Sequence, residues 1–486
     1  MPEALTVVSV SAELSPWFKV GGLADVAHAL PVALAARGHK VIGVAPRHRA
    51  LDIAWDTGRT ARFTLFGHEH EVSYFHATID GVERVFVDHP ALRRGGIYGD
   101  DNGAYGDSLF RYALFCRAAM EAPAAIGQPL PEDGAGTVFL AHDWHAALVP
   151  LYLSARYRAH GLRRHARSIL AIHNMAHQGT FPMEVLGGLD LEHRWASTLE
   201  MGGALNMLKG GIVAADRVVT VSPRYAWEIR GPEAGFGLDG VLRMRGPVVQ
   251  GILNGLDTRE WDPANDPHQP AAFDARDLSG KALCKAALQQ DLGLEVDPGR
   301  PLVGFVGRLD AQKGVDLFLR TLPWLRQQGA QVVMLGSGDP RLEEATRQAQ
   351  DPTMRAVTAF SAALAHRITA ASDLFVVPSR FEPCGLTQMQ AMRYGTVPVV
   401  AATGGLVDSV RPYDPYAQSG TGWLFHPGSA EDLVMALGNA LYTWVHWPDS
   451  FREIQRRGME ADWSWEQPAA QYEQMMQQAL DSGPWA

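Results

Sequence analysis

Lys19-Val20-Gly21-Gly22-Leu23 sets a cation beside two consecutive glycines, just ahead of a helical pattern. Glycine lets a backbone come close to a ligand, and the first turn of a helix offers unpaired N–H groups. Such a stretch suits a phosphate. An ordinary strand-to-helix turn with a solvated lysine is the other reading, and a glycine pair alone does not choose. Arg308 and Lys313 lie in the segment Gly307–Gly314, directly after an apolar run. Two cations in one loop could clamp a diphosphate and hold the charge it develops as a leaving group. A solvated basic turn is the alternative. Glu382, in Arg380-Phe381-Glu382-Pro383-Cys384-Gly385-Leu386-Thr387, stands just before a helix expected from Leu386 to Tyr394. It could bond sugar hydroxyls or stabilise a cationic transition state, or simply cap the helix. The amides of Gly385 to Thr387 would be free to take phosphate or sugar oxygens. Cys384 reads equally as a small buried residue or a reactive thiol. His142-Asp143-Trp144-His145 and His173-Asn174 could line a sugar pocket; for His145 a core role is favoured. Histidines three apart raise a metal, but no HExxH pattern accompanies them.

These residues need elements to hold them. Leu5–Val10 is a short β-branched run, Leu23–Arg37 has helical periodicity, and Lys40–Ala45 is a second strand-like run, which together make a βαβ unit. The theme returns at Leu302–Val306, Val315–Gln327 and Gln331–Leu335, then at Leu374–Val377 and Thr396–Ala401. Two doubly wound α/β domains in tandem are expected, and 486 residues are enough for both. The seam is expected between Asn254 and about Pro270, where Trp261 to Pro267, rich in Pro, Asn and Asp, breaks all periodicity. The expected domains are therefore 1–258 and 259–462, with an amphipathic helix at Ala469–Leu480 in the remainder, 463–486. Gly21-Gly22-Leu23-Ala24-Asp25 echoes Gly404-Gly405-Leu406-Val407-Asp408, which suggests one similar strand-to-helix loop per domain.

Composition narrows the function. With 47% hydrophobic and 20% charged residues the chain is neither disordered nor collagen-like, and a net charge of −10 disfavours binding to nucleic acid or an anionic membrane. Three scattered cysteines form no CxxC pair, which fits a reducing compartment and no structural zinc. No apolar run is long enough to span a bilayer, and no signal peptide is legible. The expectation is a soluble cytoplasmic protein, or a plastid one if a transit peptide has been trimmed.

In order, Lys19–Asp25, His142–His145, His173-Asn174, Asn254-Gly255-Leu256-Asp257, Gly307–Gly314, Pro378–Thr387 and Thr403–Asp408 resemble the bacterial glycogen synthase and plant starch synthase family over nearly the whole chain. The resemblance implies an α/β protein of the GT-B fold: two Rossmann-like doubly wound domains facing a cleft, with a C-terminal helix crossing back to the first. It implies transfer of glucose from ADP-glucose to the non-reducing 4-hydroxyl of an α-1,4-glucan, with retention, no cofactor and no metal. Carried over by residue, Arg308 and Lys313 would hold the donor diphosphate, with Lys19, Gly21 and Gly22 closing on the phosphates. Glu382 and the amides of Cys384, Gly385, Leu386 and Thr387 would hold the glucosyl ring and phosphate, and Asn254 falls on the donor side. His173 would sit against the transferred glucose, with Asp143 and Asn174 nearby. Glu13 and Tyr105 fall on the acceptor side. Phe360 stands where the family often has a tyrosine against the adenine, so stacking is kept and a hydrogen bond lost.

Two departures matter. The lysine motif has Val20 where many bacterial members carry Thr, as some starch synthases also do. Gln390 stands eight positions after Glu382, where the wider clan often has a second glutamate, so a two-carboxylate mechanism is not supported. A same-face displacement, with the leaving diphosphate helping to take the acceptor proton, is expected. The alternatives are a relative using UDP-glucose or another nucleotide sugar, and a glucan-binding homologue without catalysis. Intact Lys19, Arg308, Lys313 and Glu382 speak against the second, and a nicotinamide enzyme lacks its glycine fingerprint.

Overall fold

The computed structural model describes residues 4–100 and 103–485. Parallel strands covered on both faces read as unbroken apolar runs. Leu302–Val306 is one, and Thr6–Val10 keeps Val7, Val8 and Val10 fully buried around a single interior polar residue, Ser9. The chain divides into two compact units. The first takes the chain up to Val221, Ala226–Ile252 and the stretch from Trp465 on; the second takes Ser222–Tyr225 and Leu253–Ser464. This division falls a few residues from the boundaries expected at 258 and 462. Its cause is local: Leu256 N donates to the Trp463 carbonyl at 2.7 Å, and Asn254 hydrogen-bonds the Cys384 thiol, so 254–256 belong to the second unit.

The first unit holds a nine-stranded sheet among the described residues. From Val249–Gly251 the order runs through Arg217–Thr220, Arg167–Ile172, Thr137–His142, Thr6–Val10 and Lys40–Pro46 to Val82–Asp88, all parallel. Val8 lies opposite Ile42 on one side and Phe139 on the other. His68–Ile79 and Trp55–Leu65 then extend the sheet as an antiparallel hairpin that periodicity alone had not marked. The helix Gly22–Ala36 buries Leu23, Val26, Ala27, Leu30 and Leu34, the face expected of it.

The same helix contains Pro31, whose ring nitrogen cannot donate to the carbonyl four residues back. That carbonyl, of Ala27, instead accepts from Arg84 Nη1 at 3.3 Å, and the neighbouring carbonyl of His28 accepts from Arg84 Nη2 at 3.1 Å. Arg84 is fully buried on the strand Val82–Asp88, so a side chain from the sheet supplies what the helix lacks.

In the second unit a parallel sheet runs Met354–Val357, Gln331–Leu335, Leu302–Val306, Leu374–Val377, Val397–Ala401, Trp423–Phe425. The terminal helix, Glu466–Asp481, belongs to the first unit. Its Tyr472, Met475 and Met476 lie in one core with Leu30, Leu34, Val41 and Ile169, each large side chain so buried contributing roughly 1.5–3 kcal/mol. At its rim Arg37 meets Glu473 at 2.6 Å, and Arg167 Nε donates to the carbonyls of Ala479 and Ser482 at 3.0 and 3.1 Å.

Replacing the buried guanidinium should show what it does for the helix. Arg84→Met is expected to lose about 1–3 kcal/mol in urea unfolding. In a Pro31→Ala background the loss should shrink, because the new N–H reaches the Ala27 carbonyl. A double-mutant cycle with no coupling would reject this pairing.

Candidate active site

In the second unit the strand Leu302–Val306 has Gln331–Leu335 on one side and Leu374–Val377 on the other. Connections leave such a strand in opposite directions, which opens a crevice at the carboxyl edge between the loops after Val306 and Val377. The structure ties those loops together: Arg380 N donates to the Gln312 carbonyl at 2.8 Å, and the Arg380 guanidinium grips both oxygens of Asp316 at 2.7 Å. Gly314 sits at φ +67°, and a Cβ there would come 1.9 Å from the Pro378 carbonyl, so only glycine lets the loops close up.

At this point Lys313 Nζ meets Glu382 Oε2 at 2.6 Å, and Ser379 Oγ donates to the same oxygen at 2.8 Å. Glu382 is buried, and its Oε1 makes no hydrogen bond among the described residues. One carboxylate oxygen is therefore anchored and the other available. Asp310 turns the preceding loop: Oδ1 accepts from Lys313 N at 2.8 Å, while Oδ2 lies 3.4 Å from Arg308 Nη2. Arg308 is exposed and contacts Gln312 at 3.3 Å; it does not reach Glu382. Gly385, Leu386 and Thr387 follow, and their amides make no hydrogen bond among the described residues. Behind them Gly404, at φ +45°, would carry a Cβ 2.0 Å from the Glu382 carbonyl, which is the packing reason for the second glycine pair. The Cys384 thiol is buried, which pushes its pKa up to about 12 against the hydrogen bonds from Asn254. Of the two readings open for Cys384, the buried one holds. Phe360 is 85% exposed and makes no ring contact among the described residues.

The first unit carries a second cluster, at the carboxyl ends of Thr6–Val10, Thr137–His142 and Arg167–Ile172. Asp143, at φ +56°, turns its carboxylate under the next loop, where Oδ1 accepts from His173 N at 2.7 Å and Asn174 N at 3.4 Å. Burial pushes this carboxyl up to about 7. The His173 ring is half-buried and its Nε2 lies 2.9 Å from His142 Nδ1; burial pushes its pKa down to about 4. His142 itself is fully buried, behind the site and not lining it. His145 is buried as well, stacked on Tyr98 at 4.8 Å. Among the described residues no group of three or more His, Cys, Asp or Glu side chains is placed to hold a metal ion.

Glu13 lies under the glycine loop. Its Oε2 accepts from Val20 N at 2.8 Å and Gly21 N at 3.0 Å, and Oε1 accepts from Tyr98 Oη at 2.5 Å. Burial raises its pKa above the usual carboxylate range, opposed by those three bonds. Lys19 pairs with Asp25 at 2.7 Å, and Gly22 opens the helix. Tyr105 does not meet Glu13: its hydroxyl accepts from Gly96 N at 3.1 Å, and its ring lies about 5 Å from the guanidiniums of Arg94 and Arg111. Next to Asn174 a cavity of about 470 Å³ is lined by Trp144, Ala176, Gln178, Gly179, Thr180 and Phe236. Trp144 and Phe236 give the cavity aromatic surface of the kind that stacks on a sugar face.

Tyr98, Asp310 and Ser379 touch these clusters in ways the sequence did not foretell, and His142, expected to line a pocket, instead lies behind His173. Ser379 had a signal, its place in the turn before Glu382. Tyr98 had none, because its partner is 85 residues away in the chain.

Comparison with known proteins follows the same lines. Residues 6–244 match the family described as "Starch synthase catalytic domain", and residues 300–442 match "Glycosyl transferases group 1". The chain is 45% identical to soluble starch synthase 1, chloroplastic/amyloplastic, of Oryza sativa subsp. japonica, over 99% of this chain and 79% of that protein. It is 45% identical to starch synthase 1, chloroplastic/amyloplastic, of Arabidopsis thaliana, with the same coverage of this chain and 78% of the other. Among solved structures, the catalytic domain of starch synthase IV from Arabidopsis thaliana, bound to ADP and acarbose, superposes with a TM-score of 0.89 at 34% identity, covering 99% and 100% of the two chains. Sucrose-phosphate synthase from Thermosynechococcus elongatus shares the fold, with a TM-score of 0.62 at 19% identity over 98% and 99%.

Asp143 offers a pH test. A carboxyl raised from its ordinary 3.8 to about 7 resists ionisation in the fold, so stability is lost as pH rises from about 4 through about 7. Asp143→Asn keeps the acceptor and tolerates the left-handed backbone but has no proton to lose. The Tm advantage of the variant over the parent should grow across that window and level off above it. A difference independent of pH would contradict the assignment.

Proposed function

This chain belongs to the starch synthase family and catalyses glucosyl transfer from ADP-glucose to an α-1,4-glucan, and on that premise we propose how its residues divide the work. The observation that carries the assignment is identity with starch synthases along the whole chain, not over one motif. The GT-B fold accords with it: two doubly wound units, each with its polar residues at the carboxyl edge of a parallel sheet.

Arg308 and Lys313 take the donor diphosphate, aided by Lys19 and the Gly21–Gly22 loop. As the bond from C1 of glucose to the phosphate oxygen breaks, negative charge grows on the leaving ADP, and fixed cations stabilise it most where solvent is scarce. Glu382 Oε1, left open by the anchoring of its partner oxygen, accepts from a hydroxyl of the glucosyl ring. The amides of Cys384, Gly385, Leu386 and Thr387 serve phosphate or sugar oxygens; of these, the last three are supported by their unbonded N–H groups. Asn254 positions Cys384, and the exposed ring of Phe360 stacks on adenine. His173 sits against the transferred glucose with Asp143 and Asn174 nearby, and Glu13 and Tyr105 lie on the acceptor side. The cavity at Trp144 and Phe236 suits a glucan that offers hydroxyls and apolar sugar faces but no charge.

Retention at C1 follows from a same-face displacement: the acceptor 4-oxygen bonds C1 as the C1–phosphate bond breaks, and its proton passes to a phosphate oxygen. Gln390 in place of a second carboxylate supports this over a covalent glucosyl intermediate. We expect no metal or cofactor, since Arg308 and Lys313 already supply positive charge at the donor loop; EDTA should leave turnover unchanged. Among the described residues no helix is long and apolar enough to cross a membrane. We place the enzyme in the cytoplasm or, as for the relatives named chloroplastic/amyloplastic, in a plastid.

Labelled glucose from ADP-glucose should enter precipitable glucan, and turnover with UDP-glucose at least equal to that with ADP-glucose would overturn the donor assignment. Glu382→Ala should lower kcat by roughly 10²–10³ with little change in donor affinity. Lys313→Ala should weaken ADP-glucose binding in calorimetry; unchanged affinity would remove the lysine from the donor site.

A further inference from the structure

His173 is held from behind by a short chain of polar side chains running into the core. Its Nε2 lies 2.9 Å from His142 Nδ1, and His142 Nε2 lies 3.1 Å from Ser9 Oγ. Ser9 and His142 are buried, on the adjacent parallel strands Thr6–Val10 and Thr137–His142. Burial pushes His142 well below the usual histidine range and His173 to about 4, so near neutral pH each ring carries one proton.

The direction of the chain follows from its inner end. Ser9 Oγ has no second hydrogen-bond partner among the described residues. If His142 Nε2–H donated to Ser9, the serine O–H would be a buried donor without an acceptor, which is costlier than a spare lone pair. The serine therefore donates to His142 Nε2. His142 then carries its proton on Nδ1 and donates to His173 Nε2. His173 in turn must carry its proton on Nδ1, an atom that makes no hydrogen bond among the described residues.

We propose that Ser9 and His142 are positioning residues that set the tautomer of His173, so that its Nδ1–H is presented as a donor to a hydroxyl oxygen of the transferred glucose. The sugar contact rests on the reading of His173 given above; the tautomer does not.

Histidine-labelled ¹⁵N NMR of the intact enzyme, with His173 assigned by its loss in His173→Gln, tests the tautomer without any ligand. The expected spectrum has the protonated nitrogen at Nδ1 and the bare one at Nε2; the reverse in the parent enzyme overturns the proposal, whatever the variants do. Ser9→Ala should mix the two forms and lower kcat about tenfold, with KM for ADP-glucose within twofold, and Ser9→Thr should restore both spectrum and rate. Ser9→Ala with parental tautomer and kcat also overturns it. Unchanged kcat in His173→Ala would sink the sugar contact alone among the two premises, and the proposal with it, while the spectrum shows whether the relay was at fault.

Discussion

A parallel sheet covered on both faces leaves only its edges for chemistry. The central parallel strands of both units are spent on burial, as Val7, Val8 and Val10 show in the first and Val303 and Phe305 in the second. Backbone groups along the strands are paired in the ladder, so unpaired amides and polar side chains concentrate where strands end. The strand order then decides which ends are neighbours. Leu302–Val306 lies between strands reached by connections of opposite direction, and the two loops so brought together carry Lys313 and Glu382. Remove the crossover topology and the 69 residues separating those two would have no reason to close.

A carboxyl taken out of water must meet a partner, and for Glu382 and Asp143 the partners found here leave one oxygen open. Glu382 binds Lys313 and Ser379 through one oxygen and keeps the other. Asp143 gives one oxygen to two amides of the His173 loop. Glu13 takes the amides of Val20 and Gly21 together with the Tyr98 hydroxyl, so the glycine loop is itself held by a carboxylate. Such contacts fix geometry before a substrate arrives, which is how oriented dipoles lower a barrier without reorganising during the reaction.

The return of the terminal helix to the first unit depends on the same pairing of charge with backbone. Arg167 and Arg217 donate to carbonyls at the helix end, the Trp485 amide donates to buried Asp216, and Arg245 covers the Trp485 ring at 3.8 Å. Apolar burial by Tyr472, Met475 and Met476 supplies the larger share of the energy, and the arginines determine where the helix stops.

Local pattern was enough for the elements themselves. The β-branched run Thr6–Val10 and the apolar run Leu302–Val306 mark buried strands, and Gly22–Ala36 and Val315–Gln327 repeat at helical spacing. Motif residues at strand ends, Lys313 and Glu382 above all, were legible because a strand followed by a polar, glycine-bearing loop has few other uses. The hairpin Trp55–Leu65 and His68–Ile79 was not, since its exposed face alternates too loosely to mark it. Nor could the sequence join Ser9 to His142 across 133 residues, Tyr98 to Glu13 across 85, or Arg84 to the helix carbonyls that Pro31 leaves open. Short-range order comes from side-chain periodicity and turn chemistry, which neighbours in the chain determine. Which carboxylate finds which cation, and which ring carries its proton where, is decided only when strand order brings distant residues within 3 Å and burial makes an unpaired group too costly to leave.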